Sequence, residues 1–250
     1  MKKKEIIFGL NTSGFNTSTS VLENGKLLYA IEEERLNREK RTRKFPILGI
    51  NDALKRLKLK ISDIDLFSIG WNPAINLEAA NISQNGQARF LGEIFYNVAN
   101  PLINLSSAAG NISEQIIHLE NKKKIHIFFV RHHLAHAASY YLSGFSKAAI
   151  VTIDAFGEKQ CCHVAIGNKN KIETIWSQDF PHSLGSFYSA FTSFLGFKPQ
   201  SDEWKLMGAS AYGNPNKYLK KIEKIFTINE EGFEIDLSLF NHYQFHRPGL

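Results

Sequence analysis

Ile6-Ile7-Phe8-Gly9-Leu10-Asn11, residues 6–11, and Ala148-Ala149-Ile150-Val151-Thr152-Ile153-Asp154, residues 148–154, each open a stretch of chain written to one plan. Both are short apolar runs that meet a polar residue, the pattern of a buried strand running into a turn. After the first come Thr17 to Leu22 and Lys26 to Ile31, two further strands with Asn24-Gly25 between them. Asn-Gly is the strongest short hairpin signal, because both residues accept the positive φ of a type I′ turn. Pro46 then precedes Leu48 to Leu57, whose apolar residues recur at helical spacing. After the second run come Cys161 to Gly167 and Ile172 to Gln178, with Asn168 and Asn170 in the turn, and Leu184 to Leu195 as an amphipathic helix. Strand-turn-strand-turn-strand-helix is therefore written near residue 5 and again near residue 148, without identity between the copies.

This repeat predicts an α/β protein of duplicated actin-like or sugar-kinase-like subdomains, ribonuclease H-like in plan and built on mixed sheets. Residues 1–146 form the first subdomain, and residues 147–250 begin a second that is incomplete. In that architecture two domains face each other across a cleft, and the turn after each first strand points backbone amides at phosphates. Between the copies, Ile64 to Gly70 and Ile125 to Val130 read as strands. Ile112 to Leu119 and Leu134 to Leu142 read as helices, the latter ended by Gly144. The polar, Asn-rich stretch 72–110 carries one helix around Phe90 to Val98.

The composition, 43% hydrophobic and 22% charged, is that of an ordinary globular protein. No apolar run reaches the roughly 18 residues a membrane span needs. The lysines at the start give way at once to the Ile6 strand, which is too short for a signal segment. Cys161 and Cys162 are adjacent, a poor geometry for a disulfide, and lack zinc-site spacing. They read as buried strand residues of a protein of the reducing cytoplasm. Much of the net charge of +6 sits in Arg35, Arg38, Lys40, Arg41, Arg43 and Lys44. That run is either a solvated loop or a segment facing an anionic ligand. It has no interleaved aromatic residues, so it does not read as a nucleic-acid surface.

His132 and His136 are four apart, which on a helix puts both imidazoles on one face within reach of one metal. His133 points about 100° away. Asp154 ends the next strand, so its carboxylate can reach the same edge. Two imidazoles and a carboxylate suit iron, zinc or manganese better than calcium. Asp154 to Glu158, with Gly157, reads as a turn able to hold a cation beside a phosphate. Ser183 is a candidate N-cap with Gly185 close behind, at a helix end that can bind an anion or simply be a capped helix. From Glu203 to Gly213 the small residues, including Gly208, allow close approach of backbone to a ligand, and Lys205 can meet an anion.

Together these segments resemble the NodU/CmcH-type O-carbamoyltransferases. The resemblance runs through Gly9-Leu10-Asn11, Glu32 to Lys40, Phe45-Pro46, His132 to Ala137 and Asp154 to Glu158. It continues in His182 to Gly185, Phe187 to Thr192, Leu195 to Lys198 and Glu203 to Gly213. It implies an enzyme that makes a carbamoyl-adenylate from carbamoyl phosphate and ATP, then moves the carbamoyl group to a hydroxyl of a small-molecule acceptor. The transfer domain of such enzymes resembles the one that attaches threonylcarbamoyl groups to tRNA adenosine. A metal, iron in relatives, bridges histidines, aspartates and phosphates; here the matching ligands are His132, His136 and Asp154. Asn11, Arg35, Arg38, Gly157, Ser183, Gly185, Glu203, Lys205 and Gly208 are the expected nucleotide or substrate contacts. The adenylate is made in a separate C-terminal domain, expected beyond residue 250 or on another chain.

Two departures bear on turnover. Relatives carry a His-Asp pair and a further acid after the first strand, where this chain has Ser13, Phe15 and Asn16. None of these is a general base near neutral pH, so the catalytic residue is unassigned. The second turn reads Asp154-Ala155 instead of Asp-Gly, and Ala tolerates positive φ poorly, so an adjusted turn is expected. The sequence thus leaves three readings: a carbamoyltransferase, a catalytically degenerate nucleotide-binding module on the same scaffold, and a metal-dependent nucleotide hydrolase or kinase.

Overall fold

The computed structural model describes residues 4–12, 16–72, 114–118 and 124–240. The described residues form two compact units, one up to Ala135 and one from His136 onward.

The first unit is built on a six-stranded sheet of order β3-β2-β1-β4-β6-β5. Strand β1 (Ile6–Asn11) pairs antiparallel with β2 (Ser18–Glu23), and β2 with β3 (Lys26–Glu32). The hairpin between the last two turns on Asn24 and Gly25, at φ 50° and 81°, as a type I′ turn requires. On its other side β1 pairs in parallel with β4 (Leu66–Ile69), and β4 with β6 (Lys124–Phe129). An antiparallel meander continued by parallel strands is the ribonuclease H-like plan, and the sheet is mixed as the sequence predicts. Strand β5 (Glu114–His118) pairs antiparallel with β6, where the sequence predicts a helix over Ile112 to Leu119. The adjacent β-branched Ile116-Ile117 favour extended backbone, and the ladder from Glu114↔Phe128 to His118↔Lys124 overrides the local apolar spacing.

Helix α1 (Glu34–Asn37) is one turn, and α2 (Ile47–Leu57) lies on the sheet. Ile50 and Ala53 of α2 join Ile6, Phe8, Leu10, Val21, Ile69, Ile127 and Phe129 in one buried cluster. Alternate residues of β1 fill that cluster, which is the period-two pattern of a strand with one face on the core. Helix α3 (His132–Ala137) follows β6 directly and tightens into a 3₁₀ turn over Ala138–Leu142. It starts two residues earlier than the predicted Leu134. The helix expected around Phe90 to Val98 lies outside the described residues.

In the second unit β7 (Lys147–Gly157), β8 (Gln160–Asn168) and β9 (Lys171–Asp179) form an antiparallel sheet in that order. Helix α4 (Leu184–Phe194) follows and packs on β7, repeating the meander-then-helix order of the first unit. Helix α5 (Glu203–Ala209) and a separate hairpin of β10 (Phe226–Asn229) and β11 (Gly232–Ile235) come after. Cys161 and Cys162 are buried and free, as expected of strand residues. No helix among the described residues is long and apolar enough to cross a membrane.

Candidate metal centre

Helix α3 places His132 and His136 one turn apart and turns His133 into the interior, where it is buried. The His132 ring rests edge-on against Trp71, with ring centroids 5.4 Å apart. Asp154 enters from β7. The ladder to β8 is regular up to Ile153↔Cys162 and resumes only at Gly157↔Gln160, so Asp154 sits where the pairing lapses. A bulge of this kind re-aims a side chain away from the regular pleat. It brings Asp154 Oδ2 to 3.5 Å from His136 Nε2. One ligand atom from each of His132, His136 and Asp154 lies within 4.8 Å of the other two. Two atoms at about 2.1 Å from one ion stand about 3.4 Å apart at a tetrahedral angle and about 4.2 Å apart when opposed. The three groups therefore fit one transition metal after a small contraction, and their chemistry is that of iron, zinc or manganese. His136 and Asp154 have 53% and 41% of their side-chain surface exposed, so an ion and an anionic ligand can reach them.

The backbone under Asp154 is gripped from α4. Ser183, fully buried, donates its hydroxyl toward the Asp154 carbonyl at 3.1 Å and the Ala155 carbonyl at 2.6 Å. The same oxygen accepts the Ser186 amide at 3.0 Å, which is the N-cap the sequence predicts. A Cβ built on Gly185 would collide with the Asp154 carbonyl and the Ala155 amide, so only glycine lets the helix end come this close. Asp154 Oδ1 accepts the Ala155 amide at 2.7 Å, which fixes the rotamer that presents Oδ2. The positive φ of this turn falls on Glu158, at 49°, and not on Ala155. Alanine therefore stands in this turn without the strain of a positive φ.

The remaining expected contacts are placed as follows. Asn11 ends β1 and donates its Nδ2 to the Asn16 carbonyl at 3.2 Å, tying the ends of the first turn together. Asn16 is exposed at φ 59°, and Ser13 and Phe15 lie outside the described residues. Arg35 is 67% exposed beside Glu32 and Glu34, and Arg38 caps α1 in the left-handed region with its side chain exposed. Glu203 accepts from the Ser189 hydroxyl and the Gln200 amide, which joins α5 to α4. Lys205 pairs with Asp202 at 3.0 Å, and that bond holds the Asp202 carboxyl below its usual range. Gly208 is exposed with open space where a Cβ would stand. Glu33 was not singled out by sequence. It is buried, and its carboxylate accepts the Leu48 and Gly49 amides at 3.0 and 2.8 Å, capping α2 from a distance. Nothing in the run Glu32-Glu33-Glu34 marks which acid turns inward; Glu33 does so from the turn between β3 and α1. Trp71 was missed for a similar reason, since it lies in the loop after β4. Burial pushes the Cys161 thiol up to about 12, which makes it a poor nucleophile.

With this geometry in view, the comparisons with known proteins are specific. The family profile described as carbamoyltransferase N-terminus matches residues 6–245. The chain belongs to that family. It is 29% identical to an uncharacterized protein of Synechocystis sp. over 94% of its own length and 39% of the relative's. It is 27% identical to the nodulation protein NolNO of Sinorhizobium fredii over 89% of this chain and 31% of the relative. The chain thus spans less than half the length of these curated relatives. Among solved structures it is similar to YeaZ from Pseudomonas aeruginosa, at a TM-score of 0.36 and 13% identity, over 71% of this chain and 68% of that one.

Proposed function

We propose that this chain is a carbamoyltransferase-type domain that holds a metal-bound nucleotide, a carbamoyl-adenylate, and transfers its carbamoyl group to a hydroxyl of a small-molecule acceptor. The observation that carries this reading is the convergence of His132, His136 and Asp154 in a chain of the carbamoyltransferase N-terminus family. Residues 1–146 are the first actin-like subdomain and residues 147–250 the start of the second. The three ligands would hold a divalent metal, iron in the first place, with zinc or manganese as substitutes. Such an ion supplies positive charge against phosphate oxygens. The chain's own contribution is positional. Ser183 and Gly185 fix the backbone under Asp154, α3 fixes the imidazoles, and the exposed guanidiniums of Arg35 and Arg38 are the candidates for the anionic donor. Asn11, Gly157, Glu203, Lys205 and Gly208 complete the proposed binding set. Carbamoyl phosphate and ATP are the sources of the adenylate, and an adenylate-forming domain, in cis or in trans, is the partner that makes it. Two free, buried cysteines suit the cytoplasm.

A second reading follows from Ser13, Phe15 and Asn16: nucleotide binding without turnover, on the same metal site. Calorimetric titration with ferrous, zinc and manganous ions, followed by ATP, tests the shared core. One metal per chain and ATP binding that needs the metal are expected, with both lost in His136→Ala. No metal binding by the wild-type chain would sink both readings. Carbamoylated product formed with any hydroxyl acceptor would exclude the second.

A further inference from the structure

Among the described residues, the hairpin of β10 and β11 forms no ladder with the sheet of β7, β8 and β9. Side chains hold it instead. The Trp176 indole of β9 donates to the Glu231 carbonyl, in the hairpin's turn, at 2.6 Å. A Cβ built on Gly232 would strike that indole, so the turn closes on the ring with no side chain between. On its other side Phe226 meets Phe187 of α4 edge-on, with ring centroids 5.0 Å apart. The hairpin thus bridges β9 and α4, which residues 180–183 join in sequence. It is also bonded to that joining loop. Ile235 is buried, and its amide donates to His182 Nδ1 at 3.0 Å. A buried amide outside a ladder needs such a partner. An imidazole accepts at Nδ1 when its proton sits on Nε2. The next residue is Ser183, whose hydroxyl grips the Asp154 and Ala155 carbonyls.

We propose that His182 is a positioning residue of the metal centre, which transmits the docking of the β10–β11 hairpin through Ser183 to Asp154. His182 is held twice. Its ring takes the Ile235 amide, and its carbonyl lies 3.4 Å from the Cys161 thiol of β8. Together these contacts fix the peptide that carries Ser183. Ser183 donates toward two carbonyls and accepts the Ser186 amide through one oxygen, so a small shift of its backbone weakens several bonds at once. The backbone under Asp154 is then released, and with it the Oδ2 that stands 3.5 Å from His136. The inference rests on the proposed metal reading for what Asp154 does, but the coupling itself is measurable without metal.

Residue-level hydrogen exchange on the metal-free chain tests the coupling. In His182→Leu the Ala155 and Ser186 amides are expected to exchange about 10-fold faster, while amides of the β7–β8 ladder do not change. Manganous-ion affinity in a calorimetric titration is expected to fall about 10-fold, the scale of one lost hydrogen bond. His182→Asn should restore both, because its Oδ1 is bonded to Cγ as Nδ1 is and can accept the same amide. His182→Gln places its acceptor one atom further out and should behave as the leucine variant. Trp176→Phe loosens the hairpin from its other end and should speed the same two amides, with no further effect in a chain that already carries His182→Leu. Wild-type exchange at Ala155 and Ser186 in His182→Leu would overturn the proposal, as would asparagine and leucine variants that behave alike. Should His182→Leu not fold, the Trp176→Phe amides decide the matter in the same way. A wild-type chain that binds no manganous ion would sink the proposed function, and the exchange rates would still decide the role of His182.

Discussion

The turn after β1 and the turn after β7 occupy matching places in two units of one plan, and they are held by different means. The first is stitched to the following loop. The Thr17 hydroxyl donates to the Lys44 carbonyl at 2.6 Å, and the Glu33 amide to the Thr17 carbonyl at 2.8 Å. The second is clamped by a helix end, through Ser183, Ser186 and Gly185. Among the described residues only the second presents a carboxylate to a pair of imidazoles. Equal strand order therefore does not make equal sites. What distinguishes them is that a helix N-terminus presses on the second turn, where Asp154, Ala155 and Phe156 leave the ladder.

The largest expected effect comes from breaking that clamp. Gly185→Ala forces a methyl group into the Asp154–Ala155 backbone and is expected to cost about 3 kcal/mol in urea unfolding. It should also abolish metal binding in a titration, since Asp154 must move. A variant as stable as wild type with unaltered metal affinity would show that the clamp does not hold the site. The counterpart in the first unit is Glu33→Gln, which puts an amide donor against the Leu48 and Gly49 amides and is expected to cost about 2 kcal/mol. Metal affinity should not change there, so the pair of variants separates a cap that serves the fold from one that serves the site.

Ser183→Ala removes the cap of α4 and is expected to cost about 1 kcal/mol, with weaker metal binding, while Ser183→Asn should restore the cap. A smaller effect is set by pH. Burial holds the His163 imidazole below its ordinary range. The unfolded chain takes up that proton near pH 6.5, about where a free imidazole titrates, and the folded chain takes it up only at lower pH. Stability is therefore complete above that point and declines as the pH falls below it. Melting curves between pH 8 and pH 5, roughly spanning that titration, should show the decline in wild type and a flatter profile in His163→Gln. Arg35→Ala should change stability by no more than about 0.5 kcal/mol, because its ion pairs are solvated. A clear loss of ATP affinity in that variant would sharpen the contrast between stitched turn and exposed basic loop.

Much of this was legible in the order of residues. The two meanders, the Asn24-Gly25 hairpin, α2, the Ser183 cap and the spacing of His132 and His136 all follow from local rules of period and turn chemistry. The sequence misread Ile112 to Leu119 because its apolar spacing suits a helix, whereas the pairing with β6 is set by residues elsewhere in the chain. Nor does it tell that a Cβ on Gly185 would meet the Asp154–Ala155 backbone and one on Gly208 only open space, a distinction that depends on what lies opposite.

By itself the sequence determined the identity of the metal-ligand candidates, since the spacing of two histidines on a helix is a local property. That Asp154 reaches them is a tertiary fact. It requires a bulge in β7 and a capped helix pressed against it. Such placements depend on contacts between residues far apart in the chain, and no local pattern encodes which partner will stand there.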